Sequence, residues 1–333
     1  IDASWWGAGN TNFATPGATY TSPSAYYVAN TFAFARPGDI ATGWSKNQRD
    51  SFGMDAGLTW QRGDHEIRIG FDYKKYIRSH LLSLTPYQSA REEFEAEGRS
   101  MILLDANENP FESDVNRYPD PMQRELKKKI AQWRGVDQHQ IYLCNGSDEF
   151  ISNVIMGCCE PGRDSIMILP PTFGMYKVSA KTYGVGIQEV PLTKSFQLDV
   201  DAILRTADEN SKIIFIPTPN NPTANNFDLE AIERVIQRFP GIVVVDEAYE
   251  EFSSNSSVIP WLLKYPNLMV CQTFSKAQGM AGARLGMAFA HRDFINFFNR
   301  IKAPYNINSL TINVALKRLK EQDGVNTQVD LLL

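Results

Sequence analysis

The chain of 333 residues is poor in the side chains that build metal centres and disulfide frameworks, with only 4 cysteines and 4 histidines. Cys144, Cys158, Cys159 and Cys271 sit in apolar surroundings without a C-x-x-C spacing, and His65, His80, His139 and His291 are scattered with no H-E-x-x-H pattern. Such cysteines read as small buried hydrophobes in a reduced compartment, and no metal site is expected. An excess of positive charge is also missing: a formal net charge of -5 argues against a dedicated nucleic-acid binder, which would show a basic patch. The absence of any run of about eighteen apolar residues excludes a transmembrane helix. The opening Ile1-Asp2-Ala3-Ser4-Trp5-Trp6 lacks the charged start of a signal peptide. What remains, 43% hydrophobic and 21% charged residues, is the composition of a globular protein with room for two or three domains and a sizeable core.

Residues 1–75 differ from the rest, being rich in aromatics, Gly, Ser, Thr and Asn and free of cysteine. Within them Phe52, Met54, Ala56, Leu58 and Trp60 alternate with Gly53, Asp55, Gly57 and Thr59, and His65, Ile67, Ile69, Phe71 and Tyr73 alternate with Glu66, Arg68, Gly70 and Asp72. With Gln61-Arg62-Gly63-Asp64 as the turn, this predicts a β-hairpin with one apolar and one polar face. The pattern also loosely resembles a piece of a TonB-dependent outer-membrane receptor, though two or three strands close no barrel and imply no transport. The bare start at Ile1 suggests a fusion or chimeric fragment.

From Ile77 onward strands and helices alternate. Residues 121–134 read as a helix with Met122, Leu126, Ile130 and Trp133 on one face, and Arg124, Lys127, Lys128 and Lys129 on solvated faces, closed by Gly135. Residues 228–239 read as another, with Leu229, Ile232, Val235 and Ile236 inward and Asp228 as the cap. Short apolar strands between such helices predict a mostly parallel sheet covered on both faces, with ligands at the carboxyl ends of its strands.

Those strand ends carry chemistry. Ile213-Ile214-Phe215-Ile216 leads to Pro219-Asn220-Asn221-Pro222-Thr223; Ile242-Val243-Val244-Val245 ends in Asp246-Glu247-Ala248-Tyr249; Leu268-Met269-Val270-Cys271 ends in Thr273-Phe274-Ser275-Lys276-Ala277, with Gly282-Ala283-Arg284-Leu285-Gly286 behind. A lysine after a strand is by itself usually a solvated charge. At the end of a buried strand, however, a low dielectric favours the neutral amine, which can attack a carbonyl in Schiff-base chemistry. Asn145-Gly146-Ser147-Asp148-Glu149, a glycine turn feeding a helix, offers free N–H groups and a positive dipole end to a phosphate, or else simply caps the helix.

Taken in order, these motifs resemble the pyridoxal-phosphate aminotransferases of fold type I, and within them the histidinol-phosphate aminotransferase family. The resemblance covers about residues 77–329 and includes Leu84-Thr85-Pro86-Tyr87-Gln88-Ser89-Ala90, Leu104-Asp105-Ala106-Asn107-Glu108-Asn109-Pro110 and Asn116-Arg117-Tyr118-Pro119-Asp120-Pro121. It implies an α/β fold with a mostly parallel sheet flanked by helices and an incomplete small domain, preceded by the β-hairpin-rich segment. The implied division is a β-rich segment (1–75), an arm with part of the small domain (76–118), a large cofactor-binding domain (119–303) and the start of a truncated small domain (304–333). The implied activity transfers an amino group between L-histidinol phosphate and 2-oxoglutarate, giving imidazole acetol phosphate and L-glutamate in histidine biosynthesis, by a cytoplasmic homodimer using pyridoxal 5'-phosphate.

The resemblance also assigns roles. Lys276 would form the imine with the cofactor and then shuttle a proton as general base. Asp246 would keep the pyridine nitrogen protonated, making the ring an electron sink. Tyr249 and Asn221 would hydrogen-bond the ring oxygen, and Phe173 would stack on the ring where tyrosine is usual. Ser147, Asp148, Ser275 and Arg284 would surround the phosphate. Tyr87 and Asn107 would line the substrate end, and Tyr118 would reach the site of the other subunit.

There are departures. Ala224 stands where the family has glycine after Asn221-Pro222-Thr223, and Gln278 and Ala283 stand where larger apolar residues are usual. The chain stops at Leu331-Leu332-Leu333, before the expected C-terminal strands with their substrate-binding arginines, which places substrate binding in question. A phospho-amino-acid decarboxylase on the same scaffold, or an inactive chimera carrying a receptor fragment, are the alternative readings.

Overall fold

A computed structural model describes residues 57–62, 65–70, 72–85, 106–111 and 113–333, the first two stretches by their backbone. Tyr87 lies outside the described residues. Two compact units are present, the first ending at Gly70 and the second running from there to Leu333.

In the first unit, β1 (Gly57–Arg62) and β2 (His65–Gly70) pair antiparallel. Trp60 stands opposite Ile67 and Leu58 opposite Ile69, the register that the alternating pattern predicts. The second strand ends sooner than expected. Tyr73 is not on it but begins a 3-10 turn, Tyr73–Tyr76, capped by the Asp72 carboxylate, and its ring meets Phe294 edge-on at 6.2 Å in the core of the second unit.

The second unit contains strands β3 (Ile141–Cys144), β4 (Ser165–Ile168), β5 (Gly186–Glu189), β6 (Ser211–Pro217), β7 (Ile242–Asp246), β8 (Leu268–Thr273) and β9 (Gly286–Ala290). Its helices are α1 (Arg124–Arg134), α2 (Ser147–Cys158), α3 (Met175–Thr182), α4 (Val200–Thr206), α5 (Leu229–Arg238), α6 (Arg292–Ile301), α7 (Ser309–Arg318) and α8 (Gln322–Leu332). None among the described residues is long and apolar enough to cross a membrane. The strands form one sheet in the order β3-β9-β8-β7-β6-β4-β5, in which β9 runs antiparallel to both neighbours and all other pairs are parallel.

The central strands carry uninterrupted apolar runs because both sides are covered, and their two-residue period divides these runs between two cores. Ile214, Ile216, Val243, Val245, Leu268 and Val270 join the core covered by α1, α4, α5 and α7. The intervening Ile213, Phe215, Ile242, Val244, Met269 and Cys271 join the core covered by α2, α3 and α6. Helix α5 falls within one residue of expectation at each end, with the Asp228 carboxylate accepting from the Glu230 amide at 3.2 Å.

Helix α1 corrects two expectations. It starts at Arg124 rather than Pro121, because Gln123 is left-handed (φ 48) and Asp120 takes the Arg124 amide at 2.7 Å. It ends as predicted at left-handed Gly135 (φ 69). Lys127 is not solvated: it is buried, one position after Leu126, and only 6% exposed. Burial, reinforced by Lys302, brings its amine down from 10.5 to about 7, with Asp120 partly opposing and Arg124 adding to the fall.

Ala224 adopts φ 58, the left-handed conformation for which glycine is suited, at the corner where its amide bonds the Asn220 carbonyl at 2.8 Å. Ala224→Gly is therefore predicted to raise unfolding free energy by about 0.5–1 kcal/mol. A urea midpoint equal to or below that of the parent would refute this. For Lys127, the unfolded chain binds a proton that the folded one does not between pH 7 and the ordinary lysine value. Stability should thus rise with pH across that window. Lys127→Met is expected to stabilise the protein at pH 7 and below and to flatten that rise. Unchanged pH dependence in chemical denaturation would count against the buried amine.

Candidate active site

Parallel strands deliver their carboxyl ends side by side, so the segments that follow them converge on one edge of the sheet. Pro217 at the end of β6 pairs with Asp246 at the end of β7, which pairs with Cys271 of β8. A cleft of about 620 Å³, counting the part open to solvent, lies on this edge. After β6 it is lined by Asn221, after β7 by Asp246 and Tyr249, and after β8 by Ser275 and Lys276. Ser147 and Asp148 enter from the start of α2, Phe173 from the segment after β4, and Arg284 from the turn before β9. Asn107 and Tyr118 are not among the lining residues. Asn107 is exposed with φ 52, and Tyr118, half exposed, stacks on Tyr305 at 4.3 Å.

One end of the cleft is built for an anion. Gly146 (φ 75) turns the chain from β3 into α2, and a side chain there would meet the Arg284 Nη2 at 2.5 Å. Gly286 is held equally close, since a Cβ on it would lie 2.4 Å from the Gly146 carbonyl carbon. These contacts bring the α2 N-terminus, with its unpaired N–H groups and dipole, beside a guanidinium. Arg284 is itself left-handed (φ 52) and half exposed, 3.3 Å from Asp148 Oδ2. The Ser275 hydroxyl is buried here without a hydrogen-bond partner. A buried, unsatisfied hydroxyl beside an arginine and a helix start fits an anionic group.

At the floor, Asp246 is 5% exposed. Its Oδ2 accepts from the Tyr176 hydroxyl at 2.6 Å and its Oδ1 from the Ala248 amide at 3.1 Å. Burial pushes the carboxyl above the usual carboxylate range; those two hydrogen bonds pull it partly back, Asp148 raises it and Lys276 lowers it. Burial and the neighbouring Asp246 push the Tyr176 phenol well above its ordinary value, so it remains a neutral donor. Tyr176 also stacks on Phe215 at 4.5 Å and meets Phe173 edge-on at 5.5 Å. Next to Asp246, Glu247 turns away from the cleft and ties down the following loop, accepting from Ser257 Oγ, the Val258 amide and Gln272 Nε2 at 2.7–2.8 Å.

Lys276 Nζ lies 5.2 Å from the centroid of the Tyr249 ring. The low-dielectric surroundings expected for this amine are not found: Lys276 is exposed in the cleft although β8 before it is wholly buried. The strand ends at Thr273, and the turn that follows lifts the lysine out of the sheet.

Tyr176 is the site residue that sequence reasoning missed. Its signal in the sequence was an aromatic three residues after Phe173, with Phe173 before α3 and Tyr176 inside it. Its partner Asp246 is 70 positions away. Because folding raises the Asp246 carboxyl, stability falls as pH rises from the ordinary carboxylate value through the folded one, and the loss is complete above it. Asp246→Asn is accordingly predicted to melt a few degrees above the parent at pH 8 in protein without ligands, with the gap closing toward pH 4. Calorimetry at both values tests this, and a lower melting temperature at pH 8 would contradict it.

A family model for aminotransferase class I and II matches residues 101–331. The histidinol-phosphate aminotransferase of Christiangramia forsetii is 46% identical over 259 residues, covering 78% of this chain and 74% of that protein. That of Cytophaga hutchinsonii is 49% identical over 256 residues, covering 76% and 73%. Among solved structures, histidinol-phosphate aminotransferase from Sinorhizobium meliloti, in complex with pyridoxal-5'-phosphate, superposes with a TM-score of 0.61 at 24% identity. There 66% of this chain matches 60% of the other, so the chain spans under two thirds of that structure and about three quarters of the curated relatives. The fold is that of the fold type I pyridoxal-phosphate aminotransferases. On the family match and the shared length, the chain belongs to the class I and II aminotransferases, within the histidinol-phosphate aminotransferase family.

Proposed function

We propose that this chain uses pyridoxal 5'-phosphate to transfer an amino group between L-histidinol phosphate and 2-oxoglutarate, giving imidazole acetol phosphate and L-glutamate. The observation that carries the reading is the convergence of Lys276, Asp246, Tyr249, Asn221 and Phe173 on the same cleft as the anion-ready end at Ser275 and Arg284. This donor set suits the cofactor at both ends. The unpartnered Ser275 hydroxyl, the Arg284 guanidinium and the α2 start at Ser147 and Asp148 would hold its phosphate, and the buried Asp246 carboxylate its ring nitrogen.

When bound, the cofactor supplies an electron sink for charge developing at the substrate Cα. The chain's side chains supply the rest. Asp246 would hold a proton at the ring nitrogen, and Tyr176 keeps that carboxylate oriented by donating to Oδ2. Phe173 offers a π face to the ring, and Asn221 and Tyr249 offer hydrogen bonds at the ring oxygen. Lys276 would supply the amine that holds the cofactor and the base that moves a proton from the substrate Cα. Asn107 and Tyr87 would serve the substrate end. Tyr118 lies outside this cleft, in keeping with a homodimer in which it reaches the partner's site. An enzyme of amino-acid biosynthesis in this form would work in the cytoplasm.

Adding pyridoxal 5'-phosphate to the purified protein should produce a visible absorption band that is lost in Lys276→Ala. With L-histidinol phosphate and 2-oxoglutarate, glutamate should appear without carbon dioxide. Absence of the band defeats the cofactor reading, and carbon dioxide release defeats transamination in favour of decarboxylation.

A further inference from the structure

The residue before the short turn Glu250–Phe252 is Tyr249, and the two side chains after it are fastened to the rest of the protein by charge. Arg134, the last residue of α1, reaches Glu250 Oε2 with Nη1 at 3.1 Å and Glu251 Oε1 with Nη2 at 3.0 Å. All three side chains are largely buried, with exposures of 12%, 20% and 14%. The guanidinium lies 3.7 Å from the centroid of Trp133, whose ring packs 5.9 Å from Phe274. A charge pair this dry and shared is far stiffer than an exposed one.

The same Glu251 Oε1 also accepts from Gln278 Nε2 at 3.3 Å. Gln278 is 1% exposed and follows Lys276 by two residues. Its amide exchanges hydrogen bonds with Gln322 of α8, at 3.3 and 3.1 Å, and its carbonyl accepts from Arg318 Nε at 2.8 Å. Between the two positions the turn is closed by the Gly279 amide on the Lys276 carbonyl at 2.9 Å. One carboxylate oxygen thus joins the loop bearing Tyr249 to the loop bearing Lys276. The buried glutamine is tolerated because every polar atom of its amide has a partner.

We infer that Glu251, clamped by Arg134 and bridged by Gln278, is a positioning residue that fixes the Tyr249 hydroxyl relative to Lys276, and so sets the pH at which the bound cofactor ionises. The inference rests on the proposed function, since Tyr249 acts here through the cofactor ring oxygen. The charged groups around the pair are Arg134 of α1, Glu250 and Glu251 in the turn, Asp246 on β7, Asp148 at the start of α2, Arg284 opposite, and Arg318 with Glu321 behind Gln278. Glu251→Gln removes one of these charges directly, whereas Gln278→Met removes none, so a shift common to both reports geometry rather than charge.

The test is the pH midpoint of the visible absorption of the holoenzyme. In Glu251→Gln and in Gln278→Met it should move upward by about half a pH unit, roughly threefold in the ionisation constant. Neither substitution should add to the shift produced by Tyr249→Phe when combined with it. A midpoint unmoved in Gln278→Met, or a shift that persists in full on the Tyr249→Phe background, overturns the inference. So does a fall in the melting temperature of cofactor-free protein with no change of midpoint, which is what a merely structural tie would give. Should Glu251→Gln fail to fold, Gln278→Met decides alone. A parent protein with no visible band overturns the proposed function and this inference with it, whereas a normal parent band with unmoved variants overturns only the inference.

Discussion

A carboxylate buried at the end of a central strand is the constraint to which the site answers. Asp246 is ionisable, nearly inaccessible and held by one phenol and one backbone amide, so the fold keeps a charge-bearing group where water cannot serve it. It is tolerable because β7 is the middle strand of the sheet, with parallel neighbours on each side and a core above and below. Tyr176 is fixed in turn by stacking on Phe215 of β6. The direction of the Asp246 carboxyl is thus determined by packing between two adjacent strands, without a flexible surface partner. A ligand that places a positive nitrogen there recovers what burial withheld, which is how a site prepaid in stability becomes a selective one.

The anion end obeys a different physics, that of close backbone approach. Gly146 and Gly286 leave no room for side chains because β3, the α2 start and the Arg284 turn are pressed together. The antiparallel placement of β9 between β3 and β8 produces this contact, since it brings the beginning of β9 to the end of both neighbours: Gly286 pairs with Cys144 on one side and Thr273 on the other. One antiparallel strand in an otherwise parallel sheet therefore joins the turn into α2 to the lysine-bearing loop.

The layered fold was legible because its signals are local. Apolar runs with both alternate faces buried, a capped α5, a glycine turn into α2 and three chemically marked strand ends can each be read within a dozen residues. The partnerships were not. Nothing around Lys127 distinguishes it from Lys128 and Lys129 until Leu126 and Ile130 face the sheet and carry it inward. Tyr176 looks like an ordinary helical aromatic until Asp246 arrives 70 residues later. Tyr73 continues a two-residue alternation on paper, yet leaves the strand because Phe294 and its core offer it burial. The exposure of Lys276 was equally hidden, being set by the turn after β8 and not by the strand's own apolarity.

This difference separates the two halves of the site. Residues nominated for the cofactor follow strands or begin helices of a single sheet, and the structure brings all nine to one cleft. Of those nominated for substrate, Asn107 and Tyr118 come from the described residues before α1, which are not strands of the sheet. There Glu108 joins Arg117 at 2.9 Å and Tyr118 leans on Tyr305, so these contacts order the segment by its own side chains and by the loop before α7. A site assembled from two such sources has two independent tolerances. If the cleft takes the cofactor as proposed, changes in the sheet would disturb its floor, whereas changes in the segment before α1 would leave that floor intact. On that reading the chemistry would rest on the sheet, and specificity on the parts packed around its carboxyl edge.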